Sequence, residues 1–158
     1  MYRALIAAAG SAVLLAGCST VYEHERYADA RPYHMTRVGQ EIDYELLDAV
    51  LFDTDSATVS PRARAAIADI ALEARRTPQA GIIVDGFTDR VGAPDHNLEL
   101  SRMRAISVAD LLTREGIPAS RIQTHGYGET RLAVPTADQV AERRNRRVVI
   151  RILPPAQN

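Results

Sequence analysis

Apolar and polar positions alternate along this chain with two different periods, and each period marks one kind of element. In residues 60–78, Ile67, Ile70, Ala71 and Ala74 recur every three or four positions, which places them on one face of a helix. Ser60 followed by Pro61 is a strong helix start, an N-cap with proline at the first helical position, and Thr77-Pro78 ends the segment. GIIVDG, residues 81–86, has the unbroken apolar run of a buried strand. A second helix begins between Pro94 and Asn97 and stops at Gly116, with Pro118 just beyond. RIQTHGYG, residues 121–128, reads as a strand running into a glycine turn. At the end of the chain Val148, Ile150 and Ile152 alternate with Arg147, Val149 and Arg151, the period of a half-exposed strand. With VLF at 50–52 as the first strand and a short helix over 137–144, the order is βαβαβαβ. This predicts an α/β chain of the α+β kind, a four-stranded mixed sheet with helices packed on one face.

The first eighteen residues, MYRALIAAAGSAVLLAGC, break that alternation: Arg3, an apolar run over 4–16, then small residues before Cys18. The run is short for a permanent membrane helix and has the form of a signal peptide. LAGC resembles the lipobox of bacterial lipoproteins, in which the cysteine becomes the lipid-bearing mature N-terminus. Ser19 and Thr20 follow in place of an aspartate, and the resemblance then implies the outer membrane. Several acyl chains, at about 0.8 kcal/mol per buried CH₂, make a durable anchor. The expected organisation is a signal peptide over 1–17, a lipidated N-terminus and flexible tether over 18–41, one folded domain over 42–154, and a tail over 155–158. The chain has one cysteine, so no intramolecular disulfide forms.

Charge narrows the function classes. The 19 basic residues, all arginine, against 20 acidic ones leave a net charge of −1, which argues against a nucleic-acid binder held by a general basic field. Local charge is more informative. On the second helix Leu100, Arg104, Val108 and Leu111 share one stripe, so Arg104 points toward the core. A guanidinium keeps its proton, and a buried one needs an anion from the protein or from a ligand. Asp89 lies in the loop feeding this helix, where free backbone N–H groups and the helix dipole favour ligands. Asn97 and Ser101 share the face of Arg104. Two readings follow: Asp89 and Arg104 pair with each other and pin the loop, or they clamp the two ends of a zwitterion.

Four motifs in order, VLFDTDSATVSP, GFTDRVG with DHNLELSRMRAISVADLL, GIPASRIQTHGYGE and NRRVVIRI, resemble the OmpA C-terminal domain, a family that includes peptidoglycan-associated lipoproteins. The resemblance implies non-covalent binding of peptidoglycan, with Asp89 and Arg104 matching the family's carboxylate and arginine. Asp89 would then accept from the ammonium of meso-diaminopimelate in the stem peptide, and Arg104 would grip its carboxylate in a bidentate fork. Asn97 matches the family asparagine and either bonds the ligand or caps the helix. Asp55 matches a polar residue after the first strand, or serves the turn there. Arg146, in the NRR element, lines the groove or forms a solvated rim. Phe87 stands where the family commonly has histidine, with changed packing under the ligand as the expected effect, and Leu132 replaces a frequent proline.

The expected function is thus a non-enzymatic lipoprotein linking the outer membrane to the cell wall, without cofactor or metal. Two alternatives are a periplasmic hydrolase using Asp89 with His96 or His125, and an assembly partner of Tol proteins. No serine elbow is present, the cysteine belongs to the lipobox, and His34, His96 and His125 lack metal-type spacing.

Overall fold

The structure, a computed structural model, describes residues 32–52 and 59–155. Cys18, Asp55, the signal peptide and most of the expected tether lie outside the described residues. Five strands form one mixed sheet: β1 (His34–Val38), β2 (Glu41–Leu47), β3 (Ile82–Phe87), β4 (Ile122–Gly126) and β5 (Arg147–Ile152), in the order β1-β2-β5-β3-β4. Among the described strands only β3 and β4 pair in parallel. Their connection is α3 (Pro94–Arg114), so this half of the sheet is a βαβ unit. A one-turn helix α1 (Asp48–Leu51), a longer α2 (Pro61–Arg76) and a single 3-10 turn over Ala119–Arg121 complete the regular elements among the described residues.

Four expectations are corrected. The sheet has five strands instead of four, because a hairpin precedes the first motif: β1 and β2 pair antiparallel around the Gly39-Gln40 turn, with Gly39 at φ +61°. Residues 34–38, assigned from sequence to the tether, are therefore part of the sheet. VLF at 50–52 is not a sheet strand. Residues up to Leu51 finish α1, and Phe52 makes only an isolated bridge to Val59. The place next to β5 is taken by EIDYELL, whose alternation buries Ile42, Tyr44 and Leu46. Residues 137–144 form turns, since Gln139 at φ +59° is incompatible with a continuing helix.

The core lies between the sheet and the α2–α3 layer. Ile42, Tyr44, Leu46, Ile82, Val84, Val148, Ile150 and Ile152 face Ile67, Ile70, Ala105, Val108 and Leu112. Ser60 caps α2, accepting from the Ala63 N–H at 3.1 Å, and its hydroxyl donates to the Val50 carbonyl at 2.6 Å. Helix α3 sits unusually close to the sheet. A Cβ on Gly86 would stand 2.1 Å from the Ser101 carbonyl oxygen, and one on Gly126 2.6 Å from the Arg102 nitrogen. Among the described residues no helix packs on the opposite face of the sheet. Phe87 stacks on Tyr127 at 5.3 Å, and the Arg147 guanidinium lies over Phe87 at 3.9 Å. Phe87 is thus packed between a ring and a cation on β5.

Candidate functional site

Asp89 lies two residues beyond β3, in the loop that leads into α3. Two side chains fix that loop. Asn97, 3% exposed in the first turn of α3, donates from Nδ2 to the Asp89 carbonyl at 3.4 Å, the Val91 carbonyl at 3.1 Å and Glu129 Oε2 at 2.8 Å. Its observed work is therefore to hold the loop. From the other side, Gln139 receives the Gly92 N–H at 3.0 Å and donates to the Gly92 carbonyl at 3.1 Å, while its own N–H donates to the Arg90 carbonyl at 2.9 Å. Arg90 closes the connection by donating to the Thr136 carbonyl and pairing with Asp138.

The Asp89 carboxylate, 5% exposed, accepts three hydrogen bonds. Oδ1 accepts the Val91 N–H at 3.2 Å, and Oδ2 accepts the Glu142 N–H at 3.2 Å and Arg146 Nη1 at 2.6 Å. Arg104, 3% exposed, is buried as its position on the helical stripe predicts. Its Nη2 lies 3.1 Å from Asp48 Oδ2 and 3.0 Å from Oδ1, and its guanidinium stands 5.3 Å from the centre of the Phe52 ring. The internal pairing of Asp89 with Arg104 is thus replaced by two separate ion pairs, Asp89–Arg146 and Arg104–Asp48. The reason is geometric: seven residues at about 1.5 Å each put Arg104 roughly 10 Å down α3 from Asn97, beside α1 instead of beside the loop. The two pairs are joined through the backbone, because the Asp48 N–H donates to the Arg146 carbonyl at 2.9 Å.

Other candidates fall elsewhere. Ser101 donates to the Leu98 carbonyl at 2.7 Å and accepts the Gly128 N–H at 2.8 Å, so it seats a glycine turn on α3. His125 Nδ1 is 2.9 Å from Asp85 on the sheet face opposite α2 and α3 and does not join Asp89, while His96 is exposed on α3. Among the described residues no group of three or more His, Cys, Asp or Glu side chains is placed to hold a metal ion. Asp48, Phe52, Glu129 and Gln139 join the site without being singled out by the sequence pattern. Asp48 carries one usable signal, a carboxylate directly after an alternating strand. Beside Asp89, the buried Thr88 hydroxyl has no hydrogen-bond partner among the described residues.

Residues 51–146, which contain Asp89, Arg104 and Arg146, match the OmpA family. The chain belongs to the OmpA family. Among relatives of this OmpA-family chain, the probable lipoprotein YiaD of Escherichia coli K12 is 35% identical over 120 residues, covering 76% of this chain and 55% of YiaD. A peptidoglycan-associated lipoprotein of Agrobacterium fabrum is 33% identical over 110 residues, covering 70% of this chain and 62% of that protein. The chain therefore spans less than two thirds of the length of either relative. In three dimensions it is similar to the crystal structure of the peptidoglycan-associated lipoprotein from Burkholderia pseudomallei, with a TM-score of 0.57 and 27% identity over 66% of this chain and 86% of that one.

Proposed function

We propose that this chain is an outer-membrane lipoprotein whose folded domain binds peptidoglycan non-covalently through the diaminopimelate of the stem peptide, tethering membrane to wall. The observation that carries the reading is the joined pair of ion pairs, Asp89–Arg146 and Arg104–Asp48. Each offers one charge to a ligand of the opposite sign, and the two are held in fixed relation by one backbone hydrogen bond. A zwitterionic amino-acid centre would exchange its ammonium for Arg146 at Asp89 and bring its carboxylate to Arg104. Such an exchange swaps one charge-assisted hydrogen bond for another, so the buried carboxylate and guanidinium stay satisfied throughout. Arg146, freed at its tip, would then face the bound peptide. The names of the lipoprotein relatives support the wall and the lipid anchor, and Cys18 is the residue to carry lipid. A docking role with Tol proteins is compatible with the same domain.

Sedimentation with isolated sacculi tests the reading. Asp89→Ala and Arg104→Ala should each weaken retention by about 2–3 kcal/mol, more than tenfold in affinity. Arg104→Lys should restore little of it, because an ammonium cannot form the fork. Folded Arg104→Ala protein that still sediments like the native chain would overturn the assignment. The anchor is checked by labelled palmitate, which should enter the native chain and not Cys18→Ser.

A further inference from the structure

Helix α1 has a second side. Asp48 meets Arg104, whereas Val50 lines a cleft of about 550 Å³ shared with Tyr33 and Leu47 and rimmed by Arg62, Arg143 and Arg144. Among the described residues none of these three guanidiniums has an ion-pair or hydrogen-bond partner. Arg62 sits in the first turn of α2, which contains no acidic residue, so the positive end of the helix dipole and a cation are placed together. Glu45 also lines the cleft, but its nearest cation is Arg147, at 3.9 Å. In a chain of net charge −1, such a concentration of unpaired cations is a local feature with a repulsive cost that an oxyanion relieves. The wall between them is mixed, with Pro32, Tyr33, Leu47 and Val50 beside His34, which suits a ligand with a sugar or short side chain attached to its acid group.

The cleft adjoins the Asp89 site through one short segment. The Glu142 N–H and the Arg146 side chain hold Asp89, while the intervening Arg143 and Arg144 turn to the cleft. We propose that this cleft is a second carboxylate-binding site, which takes the free α-carboxylate of the glutamate in the muramyl-alanyl-glutamate part of the stem peptide while Asp89 and Arg104 take the diaminopimelate. The proposal rests on the wall-binding reading and deepens it. Two contacts on one polymer raise retention by effective concentration, since the second forms intramolecularly once the first is made.

The test uses a probe that cannot occupy the first site: N-acetylmuramyl-L-alanyl-D-glutamate, which contains no diaminopimelate, titrated into the full chain carrying Cys18→Ser. Native-site and Asp89→Asn proteins should bind it equally, since asparagine removes the charge at the first site but keeps an oxygen to accept the Glu142 N–H. Arg143→Ala combined with Arg144→Ala, two exposed positions, should weaken binding about tenfold or more. The D-isoglutamine form of the probe, with its α-carboxylate amidated, should bind more weakly than the acid. Absence of saturable binding, or equal binding by the double variant, overturns the proposal. So does arginine-dependent binding to phosphatidylglycerol vesicles with none to the muramyl probe. Sacculus retention of Asp89→Ala reports on the diaminopimelate site independently, so the two readings fail separately.

Discussion

Asp43 shows how charge is balanced on the sheet face opposite α2 and α3. It stands opposite Arg151 in the β2–β5 register, yet its Oδ1 is buried with no hydrogen-bond partner among the described residues. Burial, then the nearby charge of Glu41, pushes its carboxyl above the ordinary aspartate value, with Arg151 acting in the opposite direction. A carboxyl whose folded pKa is raised stabilises the fold fully only below its unfolded pKa. That contribution is lost as pH rises through the folded value. Asp43→Asn should therefore raise the melting temperature at pH 7 and lose the advantage near pH 3, which thermal unfolding across that range will show. An unchanged difference at both pH values would mean that charge is not the cause.

At the scale of elements, the close seat of α3 depends on glycines inside the sheet. Gly86→Ala must push the Cβ against the backbone of Ser101, 2.1 Å away, and backbone cannot rotate aside. The expected cost is about 3 kcal/mol by chemical denaturation, at the upper end of ordinary overpacking. Sequence reading treats this glycine as the end of GIIVDG, although it lies within β3. The long elements were legible because their signals are local: the caps and apolar stripes of α2 and α3, and the alternation in β5. Arg104 was legible as buried for the same reason. Its partner was not, because Asp48 lies 56 residues earlier and no local pattern encodes that meeting. EIDYELL carries a weaker signal, since its outward positions are acidic and resemble a tether, while the apolar VLF next to it suits either a strand or a helix.

For the whole molecule, the candidate site is where distant parts of the chain converge: α1, the loop after β3, α3, and the residues leading into β5. A ligand bridging Asp89 and Arg104 would draw these parts together, and ligand that binds only the folded state raises its stability by mass action. At a hundredfold excess over its dissociation constant the gain is about 2.7 kcal/mol. Diaminopimelate should accordingly raise the melting temperature of the native chain and leave that of Asp89→Ala almost unmoved. A shift of equal size in both would place the amino acid elsewhere.

The edge position of β1 has a mechanical meaning under the proposed tethering role. Its first residue, His34, pairs with Glu45 at the end of β2 nearest α1, so the chain from a membrane anchor would join the sheet at the same end as the wall contact. A pull between those points runs across the strands and loads the β1–β2 hydrogen bonds one after another, like a zipper. β5, held between β2 and β3, shares the load along its whole length. The outer strand would peel first and lengthen the link while the remaining sheet kept its grip on the wall, giving the envelope a yielding joint at its most stretched moments.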